Sequence, residues 1–173
     1  TQSIIKVTYE SGKTIVRKIN IRKRKYKIQE INNLDNKKVN PPKSYYDRIK
    51  RETALIKKSK KIFYNYPYYK VGFVMPVEGI ITGVYGSQRN LNGVAKRPHY
   101  GIDIANIEGT EVISPSDGII VLAEKDLFFS GGTIIISHGM GLTSSLLHLS
   151  EIFVSVGDKV YIGQKIGSVG STG

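Results

Sequence analysis

Three histidines, His99, His138 and His148, are the side chains best suited to chemistry in a chain without cysteine. The first begins the stretch His-Tyr-Gly-Ile-Asp, which ends at Asp103. An imidazole and a carboxylate are both good zinc ligands. A straight strand would hold these two residues about 13 Å apart. They share an ion only if the backbone bends, as Gly101 between them permits. Taken alone, the pattern also fits a polar pair on a loop.

The elements that must position these histidines are short β-branched runs separated by glycines. Such runs occur at 79–83, 118–122 and 132–136. Strands this short and this closely spaced predict an antiparallel barrel or sandwich. No convincing helix follows residue 62. The sequence therefore predicts that the second part of the chain is all-β.

Charge divides the chain near Lys70. Residues 1–70 hold twenty Lys and Arg against five Asp and Glu, which gives +15. Residues 71–173 hold six against nine, which gives −3, so the two parts sum to +12. Glycine divides in the same way, with one in the first part and seventeen in the second. We therefore expect two regions, a basic region (1–70) and a β region (71–173).

The basic region has the pattern of a small α+β unit. Apolar and polar residues alternate over 3–9 and 14–21 around Ser11-Gly12, which predicts a hairpin. Ser44 precedes a helical stretch, and Asp47 occupies the capping-box position. The region is expected to be either complete or the remnant of a larger domain. No apolar run approaches the roughly 20 residues that a membrane span needs.

Ordered sequence blocks in the β region carry a family resemblance. Ile-Thr-Gly-Val-Tyr-Gly-Ser-Gln-Arg-Asn at 81–90 is followed by Pro-His-Tyr-Gly-Ile-Asp-Ile-Ala at 98–105. Later blocks are Gly109-Thr110, Gly131-Gly132-Thr133, His138-Gly139, Leu147-His148-Leu149-Ser150, Val156-Gly157-Asp158 and Gly170-Ser171-Thr172-Gly173. In this order, from about Met75 onward, the chain resembles the lysostaphin-type (LytM-type) zinc endopeptidases. The basic region more loosely resembles what precedes the peptidase in Gram-negative envelope members.

The resemblance implies a fold and a metal site. The fold is mainly β, an antiparallel sandwich or barrel-sandwich hybrid, here with a small α+β N-terminal segment. Zinc is bound by His99 and Asp103, and by the second histidine of a later His-x-His whose first histidine is the general base. His148 lies at the site and helps to hold the water or to stabilise the oxyanion. Zinc acidifies its bound water and polarises the scissile carbonyl.

The sequence departs from the family pattern at one point, because residues 1–173 contain no His-x-His. The pattern places that motif about six residues beyond Gly173. We therefore expect that the β region is truncated at its C-terminus. Two ligands hold zinc less well than three, so this polypeptide by itself is expected to be inactive.

Three further residues have two interpretations each. His138, at the end of a strand, fits a structural histidine better than a metal ligand. Arg89 either positions an anionic substrate or pairs with a carboxylate. Tyr100 either lines a substrate groove or is a surface tyrosine. We predict a substrate-binding role for Arg89 and Tyr100.

The leading functional hypothesis is a zinc endopeptidase of peptidoglycan stem-peptide cross-links, exported to the periplasm or cell envelope. A non-catalytic LytM-type domain that binds wall or activates another hydrolase is the alternative. A lipoyl-type carrier barrel is disfavoured, because no exposed Met-Lys-Met-like turn is present. The basic region favours anionic partners, either envelope polymers or a membrane surface. It could also cover the groove as an inhibitory arm. Nucleic acid is disfavoured because no recognition motif accompanies the charge.

Overall fold

The computed structural model describes residues 1–173 and is mainly β, with 40% of residues in strands and 14% in helices. The strands are β1 (Gln2–Thr8), β2 (Thr14–Asn20), β3 (Ile28–Ile31), β4 (Ile80–Gly83), β5 (Gln88–Leu91), β6 (Val94–Ala95), β7 (Asp103–Ala105), β8 (Glu111–Ile113), β9 (Gly118–Leu127), β10 (Gly131–Gly139), β11 (Leu142–Leu149), β12 (Glu151–Ile152), β13 (Lys159–Val160) and β14 (Lys165–Ser168). The helices are α1 (Asn36–Val39) and α2 (Tyr46–Ser59), with single 3-10 turns at Lys43–Tyr45 and Tyr68–Val71. The mainly β fold predicted for the chain is confirmed.

The core lies around β10, the central strand of an antiparallel sheet with the order β11-β10-β9-β13. All nine residues of β10 are buried, so both faces of this strand are covered. Ile134 and Ile136 pack on one face in a cluster that reaches the second sheet, β12-β14-β8, through Ile166. Ile135 packs on the other face, where Ile56 of α2 contributes to the cover. Helix α2 of the basic region thus shields one side of the β region's main sheet.

The first two strands form the predicted hairpin. β1 and β2 pair in antiparallel register from Gln2↔Asn20 to Thr8↔Thr14. Gly12 in the turn adopts φ 78°, a left-handed conformation that glycine reaches without a Cβ clash. Most hairpin side chains are exposed, and the two strands pair with no other strand. The hairpin therefore adds little to the core.

Helix α2 confirms the predicted helical stretch, but the predicted capping box is wrong. Ser44 belongs to the 3-10 turn that leads directly into the helix, and no side chain caps the first turn of α2. The N–H of Tyr45 donates instead to the carbonyl of Pro42 (3.0 Å), so backbone bonding makes a side-chain cap unnecessary. No helix in the structure combines the length and apolar character needed to cross a membrane.

Strand β3 joins the two regions, a pairing that the local sequence pattern did not predict. It runs parallel to β5, with Ile28 opposite Gln88 and Ile31 opposite Leu91. β5 pairs in turn with β6. The short helix α1 follows β3 and is capped by the Asp35 side chain, which accepts from the backbone N–H of Lys37. β3 therefore extends a sheet of the β region, and α1 follows it along the chain.

A second contact between the regions is made by α2. Glu52 accepts a hydrogen bond from the backbone N–H of Phe128 at 2.7 Å. Arg48 binds Glu52 at 2.6 Å and the Asp126 carboxylate at 3.0 Å, and the Glu52 hydrogen bond raises the pKa of Arg48. Charge-assisted bonds of this kind are stronger than neutral ones. They hold α2 against the loop that follows β9.

Candidate metal site

The backbone between His99 and Asp103 bends, as Gly101 permits. His99 lies in an irregular segment, Gly101 forms a bend, and Asp103 is the first residue of β7. The Nε2 atom of His99 is 3.2 Å from Oδ1 of Asp103. This short distance replaces the separation of about 13 Å that a straight strand would impose. The two side chains therefore face one another at one position.

Backbone hydrogen bonds fix the position of His99. Its N–H donates to the carbonyl of Ser87 (2.9 Å), and its own carbonyl accepts from the N–H of Gly86 (2.7 Å). Gly86 has φ 87°, and the ring of Tyr26 from the basic region lies against the place where a Cβ would project. A side chain at this position would be strained and would collide with the ring. The turn before β5 therefore holds the backbone of His99 in place through two hydrogen bonds.

Strand pairing fixes Asp103. Gly83 of β4 lies opposite Asp103 in the β4–β7 pair, and a Cβ on Gly83 would overlap the Asp103 carboxylate. Oδ2 of that carboxylate accepts from the guanidinium of Arg89, while Oδ1 faces His99. Arg89 also donates to Gln29 of β3 (3.3 Å). The guanidinium of Arg89 is thus bound to the Asp103 carboxylate in this structure. Its predicted role in substrate binding remains a prediction.

The pair fits a zinc site by the separation of its ligand atoms. Zinc bonds of about 2.1 Å in tetrahedral geometry separate two ligand atoms by about 3.4 Å, close to the 3.2 Å measured between the imidazole and the carboxylate. The other ring nitrogen of His99, Nδ1, is buried and has no hydrogen-bond partner. An unsatisfied buried polar atom is costly and is often a sign of a functional site. No cluster of three or more His, Cys, Asp or Glu side chains able to hold a metal is present in the structure.

His148 has an unusual backbone conformation. Its φ is 62°, in the left-handed region that non-glycine residues rarely occupy. Its N–H donates to the carbonyl of Ser130, and its Nδ1 lies 2.6 Å from the carbonyl of Thr172. Because a carbonyl only accepts, Nδ1 carries a proton, which leaves the Nε2 lone pair available in the neutral ring. A strained, exposed histidine held in one tautomer is suited to proton transfer.

His138 has the environment of a structural histidine. It is fully buried, and Nδ1 donates to the carbonyl of Asp117 at 2.7 Å. Its Nε2 lies 2.8 Å from the hydroxyl of Ser144, and the ring of Phe73 packs edge-on against it. Burial lowers the pKa of His138, although the bond to Asp117 opposes this effect. With both nitrogens occupied, the ring has no free position for a metal.

A groove of about 700 Å³ runs beside the pair. Its lining includes His99, Arg89 and the exposed ring of Tyr100. Phe129 also lines it and is the neighbour of Ser130, whose carbonyl binds His148, although His148 itself is not part of the lining. The predicted role of Tyr100 in substrate binding stays a prediction, since its ring is open to the groove but touches only Tyr85 among aromatic rings.

Three cations that line the groove, Lys38, Lys96 and Arg97, were not singled out from the sequence. Arg97, two residues before His99, directly precedes the block at 98–105 that carries the family resemblance. Lys96 donates to the Val39 carbonyl (2.7 Å), and Lys38 lies beside it on α1. No local signal in the sequence places α1 at the groove, because that contact depends on the parallel pairing of β3 with β5.

Comparisons with known proteins identify the class of domain that this arrangement defines. Residues 97–173 match the profile described as "Peptidase family M23". The predicted resemblance of the β region to the LytM-type peptidases is therefore confirmed.

The relatives that the chain matches include a peptidoglycan endopeptidase and activators of murein hydrolases. The chain is 41% identical over 87 residues to peptidoglycan DD-endopeptidase ShyA of Vibrio cholerae, which covers 49% of this chain and 20% of that protein. It is 35% identical over 98 residues to murein hydrolase activator NlpD of Escherichia coli, covering 57% and 24%. The chain thus spans about a fifth to a third of the curated relatives that it matches.

Solved structures show the same fold. A Pseudomonas aeruginosa protein assigned to the M23 peptidases superposes with a TM-score of 0.75 and 26% identity, covering 99% of this chain and 62% of its own. A zinc-containing peptidase from Vibrio cholerae gives a TM-score of 0.52 and 31% identity, covering 57% and 31%. The first match includes the basic region, so its arrangement beside an M23 domain also occurs in an experimental structure.

Proposed function

We propose that this protein is a zinc-dependent endopeptidase that hydrolyses stem-peptide cross-links in peptidoglycan. The observation that carries the proposal is the separation of 3.2 Å between His99 Nε2 and Asp103 Oδ1, the spacing of two ligands on one zinc ion.

His99 and Asp103 would hold the metal, and the third protein ligand is expected in a His-x-His after Gly173. Bound zinc would supply Lewis acidity toward a peptide carbonyl and lower the pKa of a coordinated water. Arg89 holds the Asp103 carboxylate and keeps Oδ1 turned toward His99. His148 offers its free Nε2 to a water molecule or, when protonated, to the oxygen of a tetrahedral intermediate.

The substrate assignment is supported by the relatives. ShyA is described as a peptidoglycan DD-endopeptidase, and a structural neighbour as a zinc-containing peptidase. A peptide substrate also suits a groove that opens beside His99 and is flanked by Tyr100 and Phe129. We therefore propose cleavage at D-alanyl bonds, at a periplasmic or cell-envelope location. For the basic region we propose contact with anionic envelope polymers, which unchanged binding to sacculi across salt concentrations would exclude.

A second candidate is a non-catalytic domain that activates another wall hydrolase. One observation favours it. Several relatives are named as murein hydrolase activators. The intact pairing of His99 with Asp103 favours the enzyme, because an activator has no need for a preformed pair of metal ligands.

The test compares zinc content and cleavage of purified sacculi for the full-length gene product and two variants. His99→Ala removes a proposed ligand, so zinc should fall below about 0.1 per protein and soluble muropeptide release should fall to background. His148→Ala removes a group that acts on the reaction but not on the metal. It should keep its zinc and lose about 10²- to 10³-fold in rate.

Lys159→Gln is the control, since Lys159 is an exposed residue on β13 and is not part of the groove. It should retain zinc and cleavage. Full activity of His99→Ala would rule out the zinc assignment. No cleavage by the wild-type protein, together with stimulation of a purified wall amidase, would establish the activator instead.

A further inference from the structure

The groove beside His99 has a concentration of positive charge that the rest of the β region lacks. The β region has six Lys and Arg residues, and three of them, Arg89, Lys96 and Arg97, line this groove. Lys38 of α1 adds a fourth cation from the basic region. No Asp or Glu is among the eleven lining residues. In a region with a net charge of −3, this local excess needs an explanation beyond a generally basic surface.

Two of these cations are fixed in place by the protein. Lys96 Nζ donates to the Val39 carbonyl at 2.7 Å. Lys38 Nζ donates to the Phe128 carbonyl and lies 4.4 Å from the centre of the Phe128 ring. Each ammonium group has three N–H donors, so each keeps donors free after its carbonyl contact. These lysines are therefore anchored at the groove and differ in this respect from mobile surface lysines.

Arg97, unlike Arg89, has a guanidinium group that no carboxylate of the protein binds. The guanidinium of Arg89 is bound by Asp103, which neutralises it. Arg97 is exposed and forms no ion pair within the protein. A planar guanidinium with five donors matches a carboxylate in a bidentate geometry. Arg97, two residues from His99, thus presents an unused carboxylate-binding group at the metal site.

The remaining lining is apolar. Val39 and Pro41 lie on the side formed by the basic region, and Leu91, Pro98 and Phe129 on the side formed by the β region. Small side chains such as the methyl group of alanine fit such a surface. An apolar groove edged by anchored cations therefore fits a short peptide that carries free carboxylates beside small apolar side chains.

We propose that Arg97, Lys96 and Lys38 form a carboxylate-binding subsite that selects anionic stem peptides and positions them beside His99. This deepens the proposed function by naming the chemical group that the groove recognises. It also gives the basic region a direct part in substrate binding, because Lys38, Val39 and Pro41 supply one wall. The subsite depends on the chain's own cations and not on a bound metal.

The experiment measures binding by isothermal titration calorimetry in the presence of a chelator, so that no metal can bind the carboxylates. The probe is the soluble stem-peptide fraction released from purified sacculi by an amidase. A second sample has its carboxylates converted to amides with carbodiimide and ammonia. Wild-type protein should bind the free-acid peptides about tenfold or more tightly than the amidated ones.

Single substitutions test which residues cause the preference for free-acid peptides. Arg97→Gln and Lys38→Gln should each weaken binding of the free-acid peptides about five- to tenfold and leave binding of the amidated peptides unchanged. The charge-matched control Lys159→Gln should bind both samples like the wild type. Equal affinity for the two samples, or equal losses in Arg97→Gln and Lys159→Gln, would overturn the subsite. Carboxylate-dependent binding without zinc-dependent cleavage would refute only the proposed hydrolysis, whereas cleavage without carboxylate preference would refute only the subsite.

Discussion

The basic region and the β region obtain their structure in different ways. Only two of the 30 buried residues, Val39 and Ser59, belong to residues 1–70. The other 28 lie in the β region, where β10 is buried along its whole length. The β region therefore has its own hydrophobic core, and the basic region lies on its surface. Burial of apolar area is the main source of folding free energy, so stability should reside in the β region.

The basic region nevertheless reaches the site at several points. Gln29 binds Arg89, Tyr26 packs over Gly86, and Lys38 lines the groove. A segment that contributes little to the core thus touches the residues that hold His99 and Asp103. The basic region therefore contributes more to the site than to the stability of the fold. Whether it also restricts access to the groove, as an inhibitory arm would, stays a prediction.

The largest expected effect comes from a matched pair of core and hairpin substitutions. Ile136→Ala removes a side chain that is 0% exposed, and should lower the free energy of unfolding by about 2–5 kcal/mol. Ile5→Ala removes the same atoms from a side chain that is 47% exposed, and should cost less than about 1 kcal/mol. Urea unfolding followed by circular dichroism measures both. Similar losses would show that the hairpin shares the core's stability.

A smaller effect is expected where α2 contacts the β region. Glu52→Gln weakens the bonds to Arg48 and to the Phe128 N–H, and should cost about 1–3 kcal/mol. Hydrogen exchange should rise first in residues 46–59. Asp47→Asn, an exposed carboxylate change on the same helix, should cost about 0.5 kcal/mol or less. If both variants exchange alike, the Glu52 contact does not hold the regions together.

The smallest expected effect is a pH dependence confined to the β region, which contains all three histidines. Burial lowers the pKa of His138, so below pH about 6.5 the unfolded chain binds a proton that the folded one does not. Stability should therefore fall as the pH drops from about 7.5 to 5.5. His138→Gln should flatten this slope in urea unfolding experiments. An unchanged slope would mean that burial does not keep the ring neutral.

Local patterns in the sequence were sufficient for some of the structure. Alternation over 3–9 and 14–21 predicted the hairpin, and Gly101 permitted the bend that brings His99 to Asp103. The pairing of β3 with β5 could not be predicted in this way, since its partners are 60 residues apart and alternation alone does not select a partner strand. The ion pair of Arg89 with Asp103 depends on the same long-range packing. The capping box failed because the 3-10 turn had already satisfied the first N–H groups of α2.

The central claim is that His99 and Asp103 bind one zinc ion. The most direct test is a crystal of the protein grown with zinc, with diffraction data collected on both sides of the zinc absorption edge. The account predicts an anomalous peak about 2.0–2.2 Å from a ring nitrogen of His99 and from a carboxylate oxygen of Asp103. A zinc peak elsewhere, with these two side chains still joined only to each other and to Arg89, would contradict it.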